Sequence, residues 1–143
     1  MNWIKHNIIY LAWATAVIGL LSSLYFSLVK DFFPCDLCWY QRVLLYPLVI
    51  VLTVGILTWD KKLHLYVLPF TVIGIIIAGY HYLLQMNVFA QNIIPCQIGI
   101  PCETIYFKLF GFITIPFLSL IAFVFITVSV LIYKKASGEN INE

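Results

Sequence analysis

Apolar residues gather along this chain into four long blocks, and the polar residues gather into short groups between them. The first block runs from Ile8 to Val29 and carries no charge. The second, Trp39 to Trp59, holds Arg42 as its only charge. The third, Leu63 to Met86, holds His64 and His81. The fourth runs from Thr114 to Tyr133. About 20 apolar residues in helical form cross about 30 Å of hydrocarbon, so each block is long enough to span a bilayer. Lipid offers the backbone no hydrogen-bond partner, and a helix is the element that satisfies every peptide group internally. The pattern therefore predicts an all-α, integral membrane four-helix bundle.

Composition points the same way. Of 143 residues, 63% are hydrophobic and 10% charged, against about 25% charged in a soluble domain. So short a chain cannot bury that much apolar surface in one aqueous core. A single membrane domain over residues 1–143 is expected, with residues 136–143 as a polar tail. A net charge of +2 from scattered residues gives no basic patch and no nucleic-acid partner. The first block could be a signal peptide, but it is longer than an h-region of about 7–15 residues, and no small-residue cleavage site follows it.

Small residues punctuate the blocks at helical spacing. Ala12, Ala16, Gly19 and Ser23 share one stripe of the first, and Gly74 and Ala78 one stripe of the third. Such stripes let helix backbones approach closely. Pro116 falls near a helix start, where its missing N–H costs nothing. Pro47 and Pro69 fall inside blocks and are expected to kink them.

Charge then sets an orientation. Lys5, Lys61, Lys62, Lys134 and Lys135 stand on one side of the four blocks, and Lys30, Arg42 and Lys108 on the other. The positive-inside rule places both termini in the cytoplasm and the other two connections, the first and third, outside.

All four cysteines fall in those two extracytoplasmic connections: Cys35 and Cys38 before the second block, Cys96 and Cys102 before the fourth. Four cysteines on an oxidising side read as two disulfides with three possible pairings, of which Cys35–Cys38 with Cys96–Cys102 closes the shortest rings. Structural staples are one reading, but rings this short remove little chain entropy. A zinc site made of all four thiolates is another, but "CQIGIPC" spaces its sulfurs wider than the usual ligand gap. Covalent haem needs C-x-x-C-H, and Trp39 stands in the histidine's place. The favoured reading is two redox-active pairs and no metal.

The run "FFPCDLCWYQR" supplies the physical setting. Pro34 blocks helix upstream, so the helix begins near Cys35 to Cys38, at the positive end of its macrodipole, which favours thiolate. Arg42 lies one turn beyond Cys38 on the same face; the plainer alternative is that it snorkels to headgroups. An oxidised dithiol must hand on two electrons, and the chain shows no dinucleotide, haem or iron–sulfur motif. A lipid-soluble quinone fits a pair at the membrane boundary. Arg42, His81 and Gln85 could donate to its carbonyl oxygens, His81 and Gln85 being four residues apart on the third block. A bundle-core histidine is the competing reading for His81, and an ordinary interfacial polar residue for Gln85.

With these residues in place the chain resembles a known family. "CDLCWYQR" opening the second of four spans, a second cysteine pair between the third and fourth, and "HYLLQ" in the third are similar to the DsbB/BdbC disulfide bond formation proteins. The short second pair and "GFITIPFLSLIAF" resemble the BdbC branch most. The resemblance implies a quinone-dependent protein-dithiol oxidoreductase of the cell membrane. Its partner would be a DsbA- or BdbD-like thioredoxin-fold thiol oxidase. Electrons would pass to the respiratory chain through menaquinone or ubiquinone. It implies that Cys96 forms the mixed disulfide with the partner, that Cys102 is released and attacks Cys35, and that Cys38 is then the thiolate that donates to quinone, with Arg42 beside it and His81 nearby. Only five residues separate Cys96 from Cys102, fewer than in longer members. Independently, Pro95 and Pro101 extend that loop and Gly99 permits a turn, and a strained exposed disulfide is an oxidising one. Two other readings remain: a vitamin K epoxide reductase-like enzyme, in which the C-x-x-C follows the loop pair, and a non-enzymatic scaffold stapled by disulfides.

Overall fold

Four helices make up the described chain in the order α1 (Asn2–Leu28), α2 (Asp36–Thr58), α3 (Leu63–Gln85) and α4 (Ile115–Gly138). They are seen in a computed structural model that describes residues 2–31, 34–86, 105 and 113–138. α1 starts six residues before the apolar block does, because a helix can run on through polar residues once it has left hydrocarbon. The apolar parts of all four are 23 residues long, about 35 Å at 1.5 Å per residue. Each is long and apolar enough to cross a membrane.

The helices pack as a ring in which α1 meets α2 and α4, and α3 meets α2 and α4. Apolar side chains cover the outside as well as the inside, as Ile50, Leu57, Ile76 and Leu118 show. What separates inside from outside is spacing. The buried residues of α3 are Leu63, Val67, Thr71, Gly74, Ala78, His81 and Gln85 with Leu84, and those of α2 include Leu37, Gln41, Leu45, Leu48, Leu52 and Ile56. Steps of three and four residues make a straight seam along each helix, the register of left-handed bundle packing.

Small residues set how closely the seams approach. Ala12 and Ala16 are fully buried, and a Cβ on Gly19 would stand 3.3 Å from Leu45. A Cβ on Gly74 would stand 2.6 Å from the ring of Phe123, itself fully buried. These are the stripes anticipated from spacing. Pro116 is the second residue of α4, and the carbonyl of Thr114 accepts the first-turn bond from Leu118 at 3.1 Å. Pro47 and Pro69 both stand inside continuous helices.

Between α2 and α3 only four residues turn the chain. Trp59 takes the left-handed conformation, φ 51°, and Asp60 Oδ1 accepts from the Lys62 N–H at 2.8 Å. His6 stacks on Trp59 with centroids 4.1 Å apart, which ties the start of α1 to this turn. The opposite end of the bundle carries Cys35 and Cys38.

Candidate thiol redox site

Cys35 caps α2. Its backbone is extended (φ −69°, ψ 169°), and its carbonyl accepts the first helical bond from Trp39 at 3.0 Å. Pro34 accounts for this start, since a proline opposes helical geometry in the residue before it and removes an N–H. Cys38 is then one turn in, and its sulfur stands 3.1 Å from that of Cys35. The two sulfurs are unbonded, the arrangement of the reduced pair. Cys35 is buried and Cys38 is partly open.

His81 reaches the pair from α3. Its Nε2 lies 3.6 Å from Cys35 Sγ, and the ring is 1% exposed. The Cys35 thiol is held far below the ordinary thiol range, at about 4. The hydrogen bond from Cys38 is the main cause, burial opposes it, and the hydrogen bond from His81 reinforces it. Cys35 is thus the natural thiolate of the pair. In the reduced protein, the relative rate of Cys35 alkylation by iodoacetamide is expected to hold as pH is lowered from 8 and to fall only near pH about 4. An unperturbed thiol would lose rate below a pKa of about 8.5. Mass spectrometry of quenched digests measures the difference.

Arg42 lies one turn below Cys38, as its spacing predicts, but it turns inward to α1 rather than outward to headgroups. It is 8% exposed. Its Nε donates to Ser23 Oγ at 3.0 Å, and its Nη2 donates to the Ser23 carbonyl at 2.9 Å and to Ser27 Oγ. Its Cζ also sits 5.1 Å from the Trp39 ring centroid, within cation–π range. Among the described residues, Nη1 makes no hydrogen bond.

Gln85, one turn beyond His81 on the same seam, is buried, and its Oε1 has no hydrogen-bond partner among the described residues. An unpaired buried acceptor costs about 1–3 kcal/mol, so this atom suits a ligand O–H. Thr114 Oγ1, at the same end of the bundle, is buried and likewise unpartnered among the described residues. Cys96 and Cys102, with Pro95, Gly99 and Pro101, lie outside the described residues.

Two residues of the site carried no expected role. Gln41 Nε2 lies 3.2 Å from His81 Nδ1, and Ser119 Oγ donates to Gln41 Oε1 at 2.6 Å. The signal for Gln41 is its register: it stands in the seam of α2 between Leu37 and Leu45, in line with Leu48 and Leu52, where the other positions are aliphatic. The ligand atoms of Cys35, Cys38 and His81 also lie within 4.8 Å of one another. A thiophilic cation could sit there only in place of a disulfide, since both need the same sulfurs.

A vicinal thiol pair at a helix N-terminus, set against a histidine, is an arrangement suited to thiol–disulfide exchange, and it stands at one end of four helices long and apolar enough to cross a membrane. Comparison with known sequences makes the assignment specific. Residues 5–133 match the family model of disulfide bond formation protein DsbB. Disulfide bond formation protein C of Bacillus subtilis (strain 168) is 45% identical over 137 residues, covering 94% of this chain and 99% of that protein. The probable disulfide formation protein C of Halalkalibacterium halodurans is 43% identical over 130 residues, 90% of this chain and 95% of that one. The probable disulfide formation protein of Coxiella burnetii (strain Dugway 5J108-111) is 44% identical over 120 residues, 83% and 82% of the two chains. No solved structure matches significantly. The chain belongs to the DsbB family of disulfide bond formation proteins, which are disulfide-forming oxidoreductases.

Proposed function

We propose that this protein re-oxidises an extracytoplasmic, DsbA-like thioredoxin-fold thiol oxidase and passes the electrons through two cysteine pairs to a membrane quinone, menaquinone or ubiquinone. Both termini then lie in the cytoplasm and both pairs outside. The observation that carries the reading is the Cys35–Cys38–His81 cluster at the capped end of α2, with Cys35 stabilised as thiolate.

The exchange balances as a relay. Cys96–Cys102 accepts two electrons and two protons from the partner's dithiol, which becomes a disulfide with Cys96 as the sulfur that bonds it transiently. Cys102, once free, attacks Cys35 and opens Cys35–Cys38; Cys96 then closes on Cys102. The dithiol left at Cys35 and Cys38 carries the same two electrons. Exchange of this kind requires a thiolate and an accessible disulfide sulfur.

A quinone, when bound, accepts two electrons and two protons. The residues present fit such a group. Gln85 supplies a buried acceptor without a partner among the described residues, suited to the O–H of a quinol. Arg42 supplies a fixed positive charge one turn from Cys38. His81, 3.6 Å from the Cys35 sulfur, stands one turn before Gln85 on the seam of α3. Cys35, ionised and 3.1 Å from the Cys38 sulfur, is placed to close the disulfide as Cys38 gives up its electron pair.

The test is purification in mild detergent, organic extraction, and absorbance spectroscopy of the extract before and after borohydride. A quinone co-purifying with the protein is expected, together with quinone-dependent oxidation of a reduced thioredoxin-fold partner. Protein that no quinone can re-oxidise, or that retains zinc on the same sulfurs, would sink the reading.

A further inference from the structure

The chain of contacts Ser119–Gln41–His81–Cys35 draws one residue from α4, one from α3 and two from the start of α2, and it ends on sulfur. The distances along it are 2.6, 3.2 and 3.6 Å. Gln41 is 7% exposed and His81 1%, so water does not compete for these atoms. A primary amide has two unlike ends, and a neutral imidazole has two unlike nitrogens. Ser119 donates its hydroxyl proton to Gln41 Oε1, which leaves the amide N–H2 facing His81 Nδ1. Only a bare Nδ1 can accept that N–H. In the neutral ring the one proton then sits on Nε2, the nitrogen that faces Cys35. The hydrogen bond made by one ring nitrogen decides the role of the other.

We propose that Gln41, oriented by Ser119, is a positioning residue that locks His81 in the Nε2–H tautomer, so that the ring donates a hydrogen bond to the Cys35 sulfur. The assignment rests on the redox reading of the cysteine pair. It gives α4 a part in the chemistry although α4 places no group on either sulfur. With the opposite tautomer, a bare Nε2 would present its lone pair to the Cys35 thiolate and repel it. The lock thus holds Cys35 ionised and ready to close on Cys38.

The tautomer is directly measurable. Protein carrying His6→Gln and His64→Gln, both at the other end of the bundle, is labelled with [15N]histidine, reduced, and studied by NMR in detergent without quinone or partner. The nitrogen shifts are expected to show a protonated Nε2 and a bare Nδ1 on His81. Gln41→Glu keeps the shape but offers an acceptor at both ends, and is expected to move a proton onto Nδ1. Gln41→Leu is expected to leave a mixture of tautomers, and Ser119→Ala to shift the spectrum in the same direction by less. In turnover, Gln41→Leu is expected to lower kcat about tenfold with the KM for quinone little changed. A protonated Nδ1 with Gln41 in place overturns the proposal, as does an Nε2–H ring that survives both Gln41→Leu and Gln41→Glu. Should Gln41→Leu fail to fold, Gln41→Glu and Ser119→Ala decide it. The spectrum needs no electron acceptor. Failure of the quinone reading shows separately, as absent quinone-dependent turnover in the unaltered protein.

Discussion

Replacing any one of Cys35, Cys38, Cys96 or Cys102 by serine is expected to abolish quinone-coupled thiol oxidation. In the proposed relay each sulfur has a separate task, and a hydroxyl can neither form a disulfide nor leave as a stabilised anion. That relay has no step that passes a missing sulfur, because a disulfide needs two. The measurement is quinone reduction, followed by absorbance, with a reduced thioredoxin-fold partner as donor. The pattern of trapped species adds direction. With a partner that keeps only its attacking cysteine, the unaltered protein is expected to accumulate partner joined to Cys96 on a non-reducing gel, since the partner sulfur that would release it is gone. Full turnover by Cys96→Ser would overturn the relay altogether.

Arg42→Ala is expected to raise the KM for quinone about 10- to 100-fold, the range corresponding to hydrogen bonds made by a charged group. Two effects add. The fixed charge one turn from Cys38 disappears, and so does the fork that ties α2 to Ser23 and Ser27 of α1. Arg42→Lys separates them. A lysine keeps the charge but is a point donor that cannot span the Ser23 carbonyl and two hydroxyls at once, so an intermediate KM is expected. Ser27→Ala, which removes one leg of the fork and no charge, is expected to change KM least. Steady-state kinetics over a quinone titration measures the series, and an unchanged quinone dependence in Arg42→Ala removes Arg42 from the site.

The four helices were legible because lipid-crossing length and apolar composition leave few alternatives, and the turn at Asp60 because charge interrupts them there. Helix faces were harder. When a helix is apolar all round, hydropathy does not tell its inner seam from its lipid-facing side, and the small-residue stripes, Ala12, Ala16, Gly19 and Ser23 on α1 and Gly74 and Ala78 on α3, were what marked the inside. The cysteine pair and the register of Arg42 were also readable, since both follow from spacing along one helix. The partners of Arg42 were half readable: Ser23 belongs to the small-residue stripe, and Ser27 is one turn further on. The links from Gln41 to His81 and Ser119 were not, because they join residues 40 and 78 positions apart, and nothing local to Gln41 says which helix will face it. Cys96 and Cys102 rest on spacing and family membership.

Ser119 and Phe123 are four residues apart on α4 and so share a face. Phe123 occupies the notch left by Gly74, where a Cβ would come within 2.6 Å of the ring. The ring acts as a tooth in a slot and indexes α4 against α3. A slip of one helical turn between them, about 5.4 Å, would carry the Ser119 hydroxyl beyond the amide it orients. If Gln41 locks His81 as proposed, a glycine two turns from His81 thereby bears on whether the ring's proton points at sulfur.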